Sequence, residues 1–315
     1  MTEKLYGICG PTASGKTEIA LRVCGALGGE VVSADSMQVY TGMNILSAKP
    51  NADERKRVRH HLIDFVPPQE KYNASKYRED ALEAVADIRR RGAMPFLCGG
   101  TGLYIDALTK GIKLSEQADD AIRGRLKQIA LEPGGKMKLH DMLALHDPDS
   151  AKKYDPNDTR RVIRSLEIFY QTGKPRGEQE KRDLEAENTF DTRLFALKWD
   201  REALYRRIEQ RVDAMIERGL VNEVQTLMNA DTQVQETAGQ AIGYKEIRRA
   251  LEGEISLSEA IALTKTNTRH LAKRQETWFR RDTRIKWLNT DGSNFDEITE
   301  WIVNKIREET NEPEA

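Results

Sequence analysis

One eight-residue run near the start constrains this chain more than anything else in it: Gly10-Pro11-Thr12-Ala13-Ser14-Gly15-Lys16-Thr17. It fits G-x-x-x-x-G-K-[ST], and its flanks suit that motif. The run Leu5-Tyr6-Gly7-Ile8-Cys9 reads as a strand, and residues 19–27 read as a helix closed by Gly28-Gly29. The glycines let backbone N–H groups turn inward around phosphate oxygens. The helix that follows adds the positive end of its dipole. Lys16 then reaches the terminal phosphate, and Thr17 can hold Mg2+. The signal specifies phosphate without saying which ester.

The following residues repeat the strand–helix alternation. Val31-Val32-Ser33-Ala34 is a second strand ending at Asp35. Residues 75–91 form a helix with Ala81, Leu82, Val85 and Ile88 on one face, stopped by Gly92. Pro95-Phe96-Leu97-Cys98 is a third strand ending at Gly99-Gly100. Strands alternating with helices imply βαβ units and a parallel sheet flanked by helices. In such a sheet ligands bind beyond the carboxyl ends of the strands. Lys16, Asp35 and Thr101 all sit just past such ends, so they are expected in one cleft. Asp35 there can be a helix cap, a Mg2+ ligand of a phosphate-loop kinase, or a base that receives a proton from an acceptor. Thr101 alone reads as a turn hydroxyl.

Residues 113–194 lack strand-like runs and carry helical stretches at 122–131 and 159–170. They read as a small all-helical insertion between core segments 1–112 and 195–315. Phe195-Ala196-Leu197-Lys198-Trp199 resumes the sheet. Asp200 caps a helix with Leu204, Ile208, Val212 and Met215 on one face. Arg207 and Arg211 lie i, i+4 beside that face, as a salt-bridging pair or an anion clamp. Further helices run to Phe279, then a strand at 285–288 and a helix at 295–306. The acidic tail from Arg307 is expected to fray.

With 38% hydrophobic and 32% charged residues, the chain can bury a core, which excludes a disordered chain. No apolar run approaches the ~20 residues that span a bilayer. No apolar signal stretch precedes Leu5, so no secretion signal and no membrane partner are expected. Cys9, Cys24 and Cys98 are three, without CxxC spacing, and read as buried thiols of a reducing, cytoplasmic compartment. His60-His61 would point to opposite faces of a strand, which argues against a shared metal. A net charge of −1 hides a segregation: residues 264–286 hold eight basic against two acidic residues, and 152–182 nine against five. His270, Trp278 and Phe279 lie in the first stretch. Cations mixed with aromatics suit RNA phosphates and stacked bases, or else a solvated helix face.

Several segments together resemble the tRNA dimethylallyltransferase (isopentenyl-tRNA transferase) family. They are the loop at 10–17, Asp35-Ser36-Met37-Gln38-Val39-Tyr40, His60-His61-Leu62-Ile63-Asp64 and Gly99-Gly100-Thr101-Gly102-Leu103-Tyr104. Arg161-Val162-Ile163-Arg164 with Leu166-Glu167, Ala241-Ile242-Gly243-Tyr244-Lys245-Glu246 and Lys273-Arg274-Gln275-Glu276-Thr277-Trp278-Phe279-Arg280 complete the set. The resemblance implies an α/β phosphate-loop NTPase-like core whose helical insertion grips the anticodon stem-loop. The activity it implies is transfer of a dimethylallyl group from dimethylallyl diphosphate to N6 of the tRNA adenosine just 3′ of the anticodon, with Mg2+, by a monomer. By position, Gly10 to Thr17 would cradle the diphosphate, with Thr17 on the metal. Asp35 would accept the N6 proton, Thr101 would lie beside the reacting groups, and Lys16 and Arg211 would clamp the leaving group. Asp35, Ser36, Met37, Gln38, Thr101, Arg123, Arg160, Arg161, Val162, Ile163, Arg164, Gln240, Ala241, Ile242, Gly243, Tyr244, Lys245 and the segment from Lys273 to Arg280 would touch tRNA. The chain departs from the family pattern at Leu46-Ser47, Asp155 and Arg160.

Overall fold

The computed structural model describes residues 3–110, 119–178, 188–229, 234–235, 237–290 and 294–311. Six strands form one sheet: β1 (Lys4–Cys9), β2 (Gly29–Ala34), β3 (His60–His61), β4 (Met94–Gly99), β5 (Asp191–Lys198) and β6 (Ile285–Asn289), ordered β3-β2-β4-β1-β5-β6. Every neighbouring pair is parallel. The strands obey the period of two that a sheet covered on both faces requires. Leu5, Cys9, Val32, Ala34, Leu97, Leu194 and Ala196 point into one core. Tyr6, Ile8, Val31, Phe96, Cys98, Phe195 and Leu197 point into the other.

The second core is closed by α1 (Lys16–Leu27) and α13 (Phe295–Asn311), through Ile19, Val23, Ile302 and Ile306. The short α2 (Ala52–Arg57) precedes β3, and the first core is closed by α3 (Ala74–Arg90) and α4 (Gly102–Thr109), with Tyr77, Ala81, Ile88 and Ile105 inside. Helices α9 (Arg201–Glu217), α10 (Leu220–Asn229), α11 (Tyr244–Leu251) and α12 (Leu257–Phe279) follow β5. Asp200 caps α9 by accepting from Glu202 and Ala203 N–H, and Leu204, Ile208, Val212 and Met215 are its buried stripe.

The chain divides into two compact units, Met1–Thr109 with Thr189–Ala315, and Lys110–Asn188. The expected boundary at 112–113 lies outside the described residues. At the other end β5 starts at Asp191, so residues 191–194, counted with the insertion from sequence, belong to the sheet. Leu194 is buried there, but Asp191-Thr192-Arg193 carries too little apolar character to read as a strand. The second unit holds α5 (Asp120–Leu131), α6 (Gly135–His146), α7 (Pro148–Lys153) and α8 (Thr159–Thr172). Its own core is Leu126, Leu139, Leu143, Ala151, Val162, Ile163 and Leu166. Asp119, Asp147 and Asp158 cap three of its helices, and Gly173 at φ 69° ends α8.

The expected fraying is corrected: α13 continues through Asn311, and the Glu309 carbonyl accepts from Lys4 Nζ at 2.5 Å. Residues 312–315 lie outside the described residues. All three cysteines are buried and free. His60 and His61 diverge, Nδ1 of the first facing Val58 O at 2.8 Å and Nε2 of the second Glu30 Oε2 at 2.6 Å. No described helix is long and apolar enough to cross a membrane.

Candidate active site

The phosphate loop joins β1 to α1. Gly10 at φ 133°, Ala13 at 62° and Gly15 at 94° take positive-φ backbone, which winds the loop tightly between β1 and α1. The helix opens at Lys16 itself, three residues before the apolar stripe that marked it in sequence. Thr17 therefore stands in the positive first turn of α1. The Ser14 hydroxyl is fully buried and has no hydrogen-bond partner among the described residues. The Lys16 ammonium donates to Pro11 O at 3.2 Å. Burial pushes its pKa below the ordinary lysine value. Cys98 and Asp35 oppose that shift and Arg211 deepens it.

Asp35 follows β2 on the same rim. Its Oδ1 accepts from Met37 N–H at 2.9 Å and Gln38 N–H at 3.4 Å, while Oδ2 has no hydrogen-bond partner among the described residues. Capping and chemistry are thus compatible, because a carboxylate has two oxygens and the turn uses one. Thr101, after β4, donates its N–H to Ala34 O at 3.0 Å, and its Oγ1 accepts from Ser36 N–H at 3.0 Å. Those bonds tie the end of β4 to the Asp35 turn. Arg211 is half-buried on α9, without a hydrogen bond or ion pair among the described residues. Burial lowers its pKa and Asp35 raises it. Lys16, Asp35 and Arg211 therefore lie within electrostatic reach of one another, the two cations exceeding the one carboxylate. Such a place favours a multivalent anion.

Three residues hold the loop in ways the sequence did not reveal. Arg207 Nε donates to Ala13 O at 2.9 Å, and its guanidinium lies 4.4 Å from the centre of the Trp199 ring. Trp199 Nε1 donates to Ser14 O at 2.9 Å. These bonds tie the Ala13 carbonyl to α9 and the Ser14 carbonyl to the residue that follows β5. Arg207 thus spends its Nε on loop backbone, and it has no ion-pair partner among the described residues. From α12, Gln275 Oε1 accepts from Thr12 N–H at 2.8 Å and its Nε2 donates to Gly100 O at 2.8 Å. All three are joined to the loop backbone across 185 to 263 residues of chain.

The residues expected against RNA sort into three groups. Val162, Ile163, Ala241, Tyr244 and Phe279 are buried in the cores, which corrects the expectation for their side chains. Gly243, also inside, donates its N–H to the buried Glu246 at 2.7 Å, and Met37 packs partly against the core. Gln38 is turned inward too, its amide facing Ser33 Oγ at 3.1 Å and Ser47 O at 3.4 Å. A second group is committed to ion pairs. In the insertion, Arg123 at 2.9 Å and Arg164 at 3.1 Å converge on Glu167, whose side chain is fully buried. Arg280 pairs with Glu276 at 2.7 Å. The third group is exposed: Arg160, Gln240, Lys245, Lys273, Arg274, Thr277, Trp278, and Arg161, which also pairs with Asp158 at 3.4 Å. Lys273 and Arg274 have no ion-pair partner among the described residues. Trp278 is 44% exposed and donates Nε1 to Asp106 Oδ2 at 3.1 Å.

Fold and site together define a class: a phosphate-loop α/β protein with a lysine, an arginine and a carboxylate gathered at the loop. Within it, the chain belongs to the IPP transferase family, whose model matches residues 38–282. A tRNA dimethylallyltransferase of Desulforudis audaxviator is 48% identical over 287 residues, 91% of this chain and 92% of that protein. One of Geobacter metallireducens is 46% identical over 300 residues, 95% of this chain and 96% of the other. The crystal structure of a tRNA isopentenylpyrophosphate transferase from Bacillus halodurans superposes with a TM-score of 0.70 at 40% identity, covering 97% of this chain and 96% of that one. A eukaryotic dimethylallyltransferase acting on tRNA gives 0.77 at 32% identity, over 91% and 74%.

Proposed function

We propose that this protein transfers a dimethylallyl group from dimethylallyl diphosphate to N6 of the adenosine 3′ of the anticodon (position 37) in tRNA, releasing diphosphate. What supports this reading is that the phosphate loop after β1, Asp35 after β2 and Thr101 after β4 stand at the carboxyl ends of neighbouring parallel strands, with Lys16 and Arg211 within electrostatic reach of Asp35. A leaving diphosphate needs the loop and the two cations, and an amine losing a proton needs the carboxylate.

Adenine N6 is a poor nucleophile, because its lone pair is delocalised into the ring. The allylic C1–O bond breaks readily, because positive charge spreads over the double bond while the electron pair leaves with the diphosphate. Lys16, Arg211 and the loop N–H groups stabilise that departing charge. The N6 lone pair forms the new C1–N6 bond, and the N6 proton passes to the open Oδ2 of Asp35. That proton becomes acidic only as the bond forms, so an ordinary carboxylate suffices. Thr101 holds the Asp35 turn against β4, which fixes the base relative to the loop.

Thr17, in the first turn of α1 directly after the loop, would offer one hydroxyl to Mg2+, whose other ligands would come from diphosphate and water. When bound, Mg2+ adds charge neutralisation on the diphosphate. The exposed Lys273, Arg274 and Trp278 supply phosphate contacts and a stacking face for the RNA, with Arg160 and Arg161 doing so on the insertion. The target base must leave its stack to reach Asp35. We take the active species to be a monomer working in the cytoplasm.

The test is incubation with labelled dimethylallyl diphosphate and Mg2+ together with either tRNA or AMP. Label in tRNA, mapped to position 37, is expected. Label in AMP alone, or none in either, rejects the reading.

A further inference from the structure

The Gln275 amide lies where the donor loop, the Thr101 rim and helix α12 meet. Its carbonyl takes the N–H of Thr12, inside the phosphate loop, and its NH2 gives a hydrogen to the carbonyl of Gly100, next to Thr101. These two bonds fix which end of the amide faces which way. Gly100 leaves the space for it: a Cβ there would sit 2.4 Å from Gln275 Nε2. On the same stretch of α12, Lys273, Arg274, Thr277 and Trp278 are exposed. Gln275 thus grips the donor loop and Trp278 bonds Asp106 of α4 beside it, while Lys273, Arg274 and Thr277 face outward.

We infer that Gln275 is a positioning residue for the diphosphate loop, holding Thr12 against the end of β4, and not a contact to tRNA. This deepens the reading given above, on which it rests for the identity of the two ligands. With the clamp in place, the loop meets its anion already wound. Without it, the Thr12 peptide is free to turn, and binding must order it.

The test compares Gln275→Met, which keeps the length and removes both hydrogen bonds, with Gly100→Ala. The latter displaces the amide and alters no exposed residue. Binding of inorganic diphosphate and of an anticodon stem-loop RNA is measured separately by calorimetry, with melting curves to confirm folding. Both variants are expected to weaken diphosphate about tenfold, the loss of roughly one well-made hydrogen bond, and to leave RNA affinity unchanged. Their effects should not add in the double variant, since both remove the same clamp. Lys273→Gln is expected to show the opposite split, with RNA weaker and diphosphate unchanged.

If Gln275→Met weakens RNA and spares diphosphate, the residue is an RNA contact and the inference is wrong. Unchanged or tighter diphosphate binding in folded Gln275→Met overturns it as well, because Gln275 would then be idle or competing for Thr12 N–H. Should Gln275→Met not fold, Gly100→Ala decides by the same outcomes. Transfer by the unaltered protein is assayed in parallel: failure there rejects the prenyl-transfer reading, while the diphosphate comparison still judges the clamp.

Discussion

Replacing Asp35 by asparagine isolates the base from the turn it also caps. The Asn side-chain oxygen can still accept from Met37 and Gln38 N–H, so the 35–38 turn should survive. What disappears is the proton acceptor on Oδ2 and one negative charge beside Lys16 and Arg211. General-base loss typically costs 10²–10⁴ in rate, about 3–5 kcal/mol of barrier, so kcat should fall at least ~10²-fold. Removing a carboxylate that repels the incoming anion should act the other way on binding, tightening inorganic diphosphate several-fold. Asp35→Ala should share the rate loss and in addition lose about 1 kcal/mol of stability, because two turn N–H groups lose their acceptor. Single-turnover transfer, diphosphate calorimetry and melting curves read the three quantities. Near-normal turnover in Asp35→Asn, with diphosphate binding unchanged, would refute both the proton-transfer role and the electrostatic link to the two cations.

Three further outcomes follow from the same structure. Lys273→Gln with Arg274→Gln should lower the slope of log affinity for tRNA against log salt by about 0.7 for each phosphate no longer neutralised, since each bound cation releases counterions; an unchanged slope would make both residues structural. Burial holds the Lys16 ammonium below its ordinary value and a bound anion should restore it. Diphosphate binding at alkaline pH is therefore expected to take up protons and to weaken as pH rises, and calorimetry in buffers of different ionisation enthalpy that detects no uptake would contradict this. The hydrogen-bonded Arg91, with His61, holds the Glu30 carboxyl down at about 2, from an ordinary 4.5. Its stabilisation, about 2 kcal/mol after solvent screening, is complete above pH ~4.5 and lost as pH falls toward 2, so Glu30→Gln should melt lower at pH 7 and lose less than the unaltered protein on acidification.

The parts of this molecule that were legible in its sequence are those decided by local pattern. Strand β1, the loop and α1 follow from apolar runs and glycine positions, and Asp35 and Thr101 could be placed on one rim because each ends a strand of a parallel sheet. Helix α4 was hidden, since Gly99-Gly100-Thr101-Gly102 reads as a loop until its last glycine starts a helix. The grip on the loop was hidden for a different reason. Arg207 and Arg211 share one helix face at i, i+4, yet the first bonds the Ala13 carbonyl and the second lies within reach of Asp35. No spacing rule separates a guanidinium that bonds backbone from one without a hydrogen bond or ion pair among the described residues. Gln275 sat within a segment whose basic and aromatic neighbours suggested RNA, and only tertiary packing turns it inward. Burial likewise withdraws Tyr244 and Phe279, aromatic residues that a sequence would offer to stacked bases.

A crystal structure of the protein with inorganic diphosphate and an anticodon stem-loop would test most directly whether leaving group and acceptor share one pocket. The expected density places the diphosphate against Lys16, Arg211 and the loop, with an unstacked adenine whose N6 lies within hydrogen-bond distance of Asp35 Oδ2. An adenine seated away from Asp35, or a diphosphate bound outside the loop, would contradict it.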